Sequence, residues 1–170
     1  IRLINKNSNV IDIGSNYGFI TLACSNFTRN GKGKVFSFEC NVNCYKNLES
    51  SIKKNGFDNI ELFNAFVGGK NTSIIKTVDS LIYDHCKKID LIKIDTDGTD
   101  LECLMGCEKI IKESDPIIVI EINDNFNQIV GYLVKSSYKF FYDQHLRKVD
   151  TAASKNIIPN LFCSRYSLKT

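Results

Sequence analysis

The sequence predicts a doubly wound α/β domain: a mostly parallel, seven-stranded sheet with an antiparallel last strand. Three observations carry this expectation. Strand-like and helix-like hydrophobic periods alternate from residue 10 onward, as successive βαβ units require. The strand segments are near-continuous apolar runs, which marks burial on both faces and therefore parallel pairing. The C-terminal end changes character, with two strand segments joined by the polar stretch 143–160.

Taken in order, residues 10–13 form a short β-branched strand that ends at a Gly-rich turn. Residues 19–27 follow as a helix with Phe19, Ile20, Ala23 and Phe27 on one side. The turn residues 30–33 introduce the strand 35–38. Residues 43–55 make an amphipathic helix with Tyr45, Leu48 and Ile52 on its stripe and Gly56 placed for a C-cap. A strand at 60–63, a loop at 68–71, a short helix at 78–86 and a strand at 91–94 come next. The helix 99–112 is expected to bury Leu101, Leu104, Met105 and Ile111. Pro116 opens the strand 117–122, where a missing N–H is tolerated. Phe126, Ile129, Val130, Leu133 and Val134 then repeat at i, i+3, i+4, i+7, i+8, and strands at 138–142 and 161–164 close the chain.

Composition narrows the class. At 170 residues, 43% apolar and 24% charged, the chain suits one core-forming domain over residues 1–170 and is unlike a disordered one. A net charge of +3 is too mild to announce nucleic acid or membrane as partner. No apolar run reaches the ~18–20 residues of a membrane span. Seven cysteines without any CxxC exclude the zinc-ribbon and thioredoxin-like spacings. They read instead as small apolar residues in a reducing, cytoplasmic setting, with Cys103 and Cys107 on one helix face. The chain opens on Ile1 without a signal-peptide pattern, as an excised domain would.

In open α/β sheets ligands bind beyond the carboxyl ends of the strands, so the polar residues there are the candidates. After the first strand stand Asp12, Gly14, Ser15, Asn16 and Gly18. Two glycines allow close backbone approach, and the helix start beyond them offers free N–H groups. The spacing is G-x-x-x-G, not the G-x-G-x-x-G of dinucleotide sites. Glu39, 21 residues beyond Gly18, is placed to accept hydrogen bonds from both hydroxyls of a ribose, the alternative being a solvated strand-end carboxylate. After the fourth strand come Lys93, Asp95, Asp97 and Asp100, with Lys93 and Asp95 on one face by alternation. Three carboxylates in one turn repel unless a cation, a helix N-terminus or a shared proton offsets them, and helix capping accounts for Asp97 or Asp100. Glu121 and Asn123 stand at the same rim.

These segments together resemble the FkbM-type S-adenosylmethionine-dependent methyltransferases. The resemblance rests on VIDIGSNYG (10–18), VFSFE (35–39), TVDSL (77–81), LIKIDTDG (91–98) and PIIVIE (116–121), in that order over nearly the whole chain. Ser15, Cys40, Asp97 and Asp100 depart from the usual Ala, Pro, Glu and Glu. The resemblance implies a Rossmann-like class I methyltransferase fold, S-adenosyl-L-methionine as cofactor and O-methylation of a sugar, glycan or small metabolite. It implies that Gly14, Ser15, Asn16 and Gly18 cradle the methionine part and that Asp12 orients their turn or its water. Glu39 would hold the ribose, and Asn64, Ala65 and Phe66 would border the adenine. Asp95 is the first candidate for proton removal, with Asp97 and Glu121 as helpers and Lys93 holding those carboxylates ionised or steadying a developing alkoxide. Mg²⁺ would suit Asp95, Glu121 and Asn123, but clustered carboxylates are more often capped or solvated, so no metal is assigned. His145 and Arg147 are candidates for the substrate mouth. Two further readings are an RNA 2′-O-methyltransferase, which lacks an evident basic face, and a cofactor-binding subunit without catalysis.

Overall fold

β-Branched and aromatic runs of four or five residues, too short for helices and bounded by turn residues, form the centre of the sheet. The computed structural model describes residues 3–152 and 158–168. Its elements run β1 (Val10–Ile13), α1 (Phe19–Thr28), β2 (Val35–Phe38), α2 (Val42–Asn55), β3 (Ile60–Phe63), β4 (Phe66–Val67), β5 (Ile75–Lys76), α3 (Val78–Ile82), β6 (Leu91–Ile94), α4 (Asp100–Met105), α5 (Glu108–Ser114), β7 (Ile117–Glu121), α6 (Phe126–Lys135), β8 (Phe140–Tyr142) and β9 (Asn160–Ser164). Seven strands make one sheet in the order β3-β2-β1-β6-β7-β9-β8. Pairings from β3 to β7 are parallel, and β9, the last strand, lies antiparallel between β7 and β8.

The chain winds outward from β1 to β3 and then returns to lay β6 against the other side of β1. That reversal is the topological switch point, beyond whose strand ends ligands bind in open α/β sheets. The central strands are sealed: every residue of β1 and β2 is buried, and Ile92, Ile94, Ile118 and Ile120 continue the same core. Among the described residues no helix is long and apolar enough to cross a membrane.

Three features differ from the periodicity. The buried face of α1 is polar: Thr21, Ser25 and Thr28 are fully buried, whereas Phe19 is 84% exposed and Ala23 is also exposed. Hydrogen bonds compensate this burial, with Thr21 donating to Asp12 and Ser25 to Asn59, while Thr28 accepts from the Asn59 amide. Second, the expected helix 99–112 is two helices, and Met105 is exposed. The break falls at Gly106, where a Cβ would stand 2.3 Å from the Gly68 carbonyl oxygen, so the chain there is held against the neighbouring loop. Cys103 and Cys107 consequently straddle the break, both buried. Third, the parallel pair β4–β5 flanks the 68–71 loop as a separate small sheet.

The start of α5 is capped from elsewhere in the chain. Asp79, inside α3, accepts the N–H groups of Lys109 and Ile110 at 2.8 and 3.1 Å. The TVDSL segment is therefore a structural clamp between α3 and α5. Asp79→Ala is expected to lower unfolding stability by about 1–2 kcal/mol, the usual loss for a helix cap. Urea denaturation measures it, and an unchanged midpoint would mean that the clamp contributes nothing.

Candidate functional site

A cleft of about 350 Å³ opens at the switch point. Its walls join the turns after β1, β2, β3 and β6, with Gly14, Asn16, Glu39, Ala65, Phe66, Asp95 and Asp97 among the lining residues. These seven are sequence candidates brought together from four separate strand ends. Asp12, Ser15, Gly18, Lys93, Asn64 and Glu121 are not among the residues that line it.

The turn after β1 is built by unusual backbone. Gly14, Asn16 and Gly18 have φ of 74°, 51° and 88°, left-handed conformations that glycine and asparagine tolerate best. Gly14 is further constrained, because a Cβ there would lie 1.8 Å from the Asp95 carbonyl oxygen. The N–H groups of Gly14 and Ser15 both donate to the Phe38 carbonyl, which ties this turn to the end of β2.

Glu39 is 6% exposed and its carboxylate is a junction. One oxygen accepts the Asn16 N–H at 2.6 Å and the other the Asn41 N–H at 2.7 Å. Charge-assisted bonds of this kind hold the carboxylate rigid while leaving lone pairs toward the cleft. Asn64 donates its amide to the carbonyls of Glu39 and Cys40, and so joins β3 to β2 at the rim. Cys40 and Cys44 also line the cleft, which the residue pattern did not reveal because a lone thiol carries no positional signal.

The turn after β6 is clamped by Asp100, which is fully buried. One of its oxygens accepts the Thr96 N–H and hydroxyl, and the other accepts the Gly98 N–H and the Asn123 amide. Asp100 therefore braces the turn before α4 and does not cap the helix, whose N-cap Thr99 makes no side-chain cap bond, while Asp97 stays exposed in a left-handed conformation at φ 53°. Carboxylate oxygens of Asp95, Asp97 and Glu121 lie within 4.8 Å of one another. Burial first, then the charge of Asp95 with smaller effects of Asp100 and Asp97, pushes the Glu121 carboxyl above its usual range, and the Asn123 amide opposes this.

The sign of the stability effect follows. A raised pKa means that the folded state favours protonated Glu121, so its ionised form costs stability at neutral pH and the cost fades as pH falls through that pKa. Glu121→Gln is therefore expected to raise the melting temperature at about pH 8 and to change little at about pH 4. Equal shifts at both pH values would show that the charge on Glu121 is not the cause.

Lys93 lies between two carboxylates. Its ammonium is 3.1 Å from Asp95 and 3.6 Å from Asp12, which is completely buried. Asp12 faces inward to α1 and Lys93 and does not line the cleft. His145 and Arg147 do not line it either; Arg147 pairs with Asp143 in the turn after β8.

The family model described as the Methyltransferase FkbM domain matches residues 66–149. No curated protein matches the chain in sequence. Among solved structures it is similar to the methyltransferase FkbM from Methylobacillus flagellatus KT, with TM-score 0.74 and 15% identity over 96% of this chain and 44% of that one. It also resembles an rRNA methylase from Streptococcus thermophilus, with TM-score 0.62 and 16% identity over 95% of this chain and 87% of that one. The precorrin-6y C5,15-methyltransferase from Geobacter metallireducens GS-15 gives TM-score 0.63 and 15% identity, covering 96% and 82% of the two chains. At these identities the likeness is one of fold, and the chain spans less than half the length of the Methylobacillus protein.

Proposed function

For a chain that belongs, as this one does, to the FkbM-type S-adenosylmethionine-dependent methyltransferases, we propose that it moves a methyl group to a hydroxyl of a sugar, glycan or small metabolite. One observation carries the reading. A single cleft joins the left-handed Gly14 turn and Glu39, suited to a nucleoside with a charged tail, to the Asp95 carboxylate, suited to proton removal. The cofactor fits this chemistry: Glu39 supplies acceptors for ribose hydroxyls, Ala65 and Phe66 an apolar border for the adenine, and Gly14 and Asn16 a backbone cradle.

When bound, S-adenosylmethionine supplies a methyl group activated on a sulfonium. The residues of this chain align and deprotonate. Asp95, on the cleft wall, accepts the hydroxyl proton as the oxygen gains its methyl group. Asp97 and Glu121 keep that end of the cleft negative, and Lys93 offsets the charge on Asp95. This end favours an uncharged acceptor, since a phosphate-bearing one would meet three carboxylates. The same charge argues against RNA, and the likeness to an rRNA methylase extends only to the fold. With Asp95 as the proton acceptor, chelation by EDTA is expected to leave turnover unchanged; a loss restored by Mg²⁺ would instead make Asp95, Asp97 and Glu121 its ligands.

Calorimetry with S-adenosylhomocysteine tests the cofactor reading, with saturable one-to-one binding as the expected result. A folded protein that binds neither it nor S-adenosylmethionine would end the proposal. Labelled methyl transfer to panels of free sugars, glycans, nucleotide sugars and RNA then tests the acceptor. Label on neutral hydroxyl acceptors is expected. Binding without turnover on any of them would favour a non-catalytic subunit.

A further inference from the structure

The register of the sheet places three polar side chains side by side in its middle. Asp12 of β1 is paired with Ser37 of β2 on one side and with Lys93 of β6 on the other. In-register neighbours share a face, so these groups form a polar row within an otherwise apolar core. Asp12 is 0% exposed. One of its oxygens accepts the Thr21 hydroxyl at 2.6 Å. Because Thr21 spends its proton there, the 3.0 Å contact between Thr21 and Ser37 runs with Ser37 as donor.

The other oxygen of Asp12 has no hydrogen bond. Its nearest cation is the Lys93 ammonium at 3.6 Å, and the same ammonium lies 3.1 Å from Asp95. The shorter distance favours Asp95, but the surroundings favour Asp12. The Asp95 side chain is 41% exposed and that of Lys93 only 14%. Water competes for Asp95 and screens that pair, whereas Asp12 has no solvent to turn to. Removing Lys93 would leave Asp12 as an uncompensated charge inside the sheet.

We propose that Asp12 is a positioning residue that locks the Lys93 ammonium in the sheet and, through it, fixes the Asp95 carboxylate on the cleft wall. The consequence for Asp95 rests on its reading as proton acceptor; the lock itself does not. Among the described residues Lys93 is the one cation that Asp12 faces, and the neighbouring Cys24 thiol stays neutral, pushed up to about 11 by burial and by the charge of Asp12. Lys93 is thereby held by two carboxylates and is not free to follow a developing alkoxide. Of the roles expected for it, pairing with Asp95 is the one this geometry supports.

Nitrogen-detected or ¹⁵N-edited NMR of lysine ammonium groups tests the lock on the chain without any cofactor, so its result is separate from S-adenosylhomocysteine binding. A slowly exchanging NH₃⁺ signal is expected for Lys93 at neutral pH and is assigned by its disappearance in Lys93→Arg. In Asp12→Asn, Lys93 exchange is expected to become about tenfold faster or more, and the Asp95 carboxyl ¹³C resonance to move. In Asp95→Asn the Lys93 signal is expected to persist. A signal that survives Asp12→Asn, or one lost in Asp95→Asn, overturns the proposal. Should Asp12→Asn fail to fold, the wild-type signal and the Asp95→Asn arm decide: both must show a protected Lys93.

Discussion

Glu39→Ala is expected to weaken S-adenosylhomocysteine binding by about 1–3 kcal/mol, roughly 5- to 150-fold, through the loss of a buried charged acceptor. Two losses coincide in this variant. Ribose hydroxyls would lose the partner proposed for them, and the Asn16 and Asn41 N–H groups lose the carboxylate that holds their turns in register. Glu39→Gln separates them, since its amide keeps one acceptor and the side-chain length. Its thermal stability is expected to lie between those of the alanine variant and the wild type, with affinity still reduced. Wild-type affinity in Glu39→Ala would remove this residue from the site.

Gly14→Ala is expected to cost more stability than any other single change at the cleft, about 3 kcal/mol or more. Part is the left-handed backbone at φ 74°, which a side chain with a Cβ opposes. The larger part is contact: the new methyl would overlap the backbone carbonyl of Asp95, which cannot swing away as a flexible side chain would. The turn after β1 must then separate from the turn after β6, and the two halves of the cleft separate with it. Chemical denaturation measures the loss, and calorimetry should show no cofactor binding. A variant that melts like the wild type would show that the two turns are not in this contact.

The main sheet was legible because each central strand is a short apolar run with no competing period. Residues 10–13 and 91–94 are examples, each bounded by turn residues. Hydropathy misread α1 because its inward face is made of Thr21, Ser25 and Thr28, polar groups that burial tolerates only once their tertiary partners Asp12 and Asn59 are in place. The split between α4 and α5 was hidden because the apolar period continues across Gly106; the cause is the approach of Gly68, distant in sequence. β4 and β5 are two residues each, below the length at which alternation can be recognised.

At the site, the strand-end rule found seven of the residues that line the cleft, because topology alone delivers them there. It could not sort them by exposure. Asp12 and Asp100 look like further cleft carboxylates in the sequence and are both fully buried braces. The inward aim of Asp12 depends on Thr21 and Lys93, and that of Asp100 on Thr96, Gly98 and Asn123. Cys40, Cys44, Thr96 and Thr99 line the cleft without any chemical signature to announce them.

The uneven placement of the seven thiols has a practical consequence. Cys103, Cys107 and Cys163 are buried, and burial pushes all three thiols well above their ordinary range. Cys40 alone is exposed, and it sits on the wall of the cleft. An electrophile in solution therefore meets the chain first at the place where a ligand would sit. Burial and the charge of Glu39 raise the Cys40 pKa as well, so its alkylation should be slow and should quicken as pH rises. Protection of Cys40 from a maleimide, followed by mass spectrometry, becomes an occupancy gauge for any compound that enters the cleft, whether or not methyl transfer can be measured.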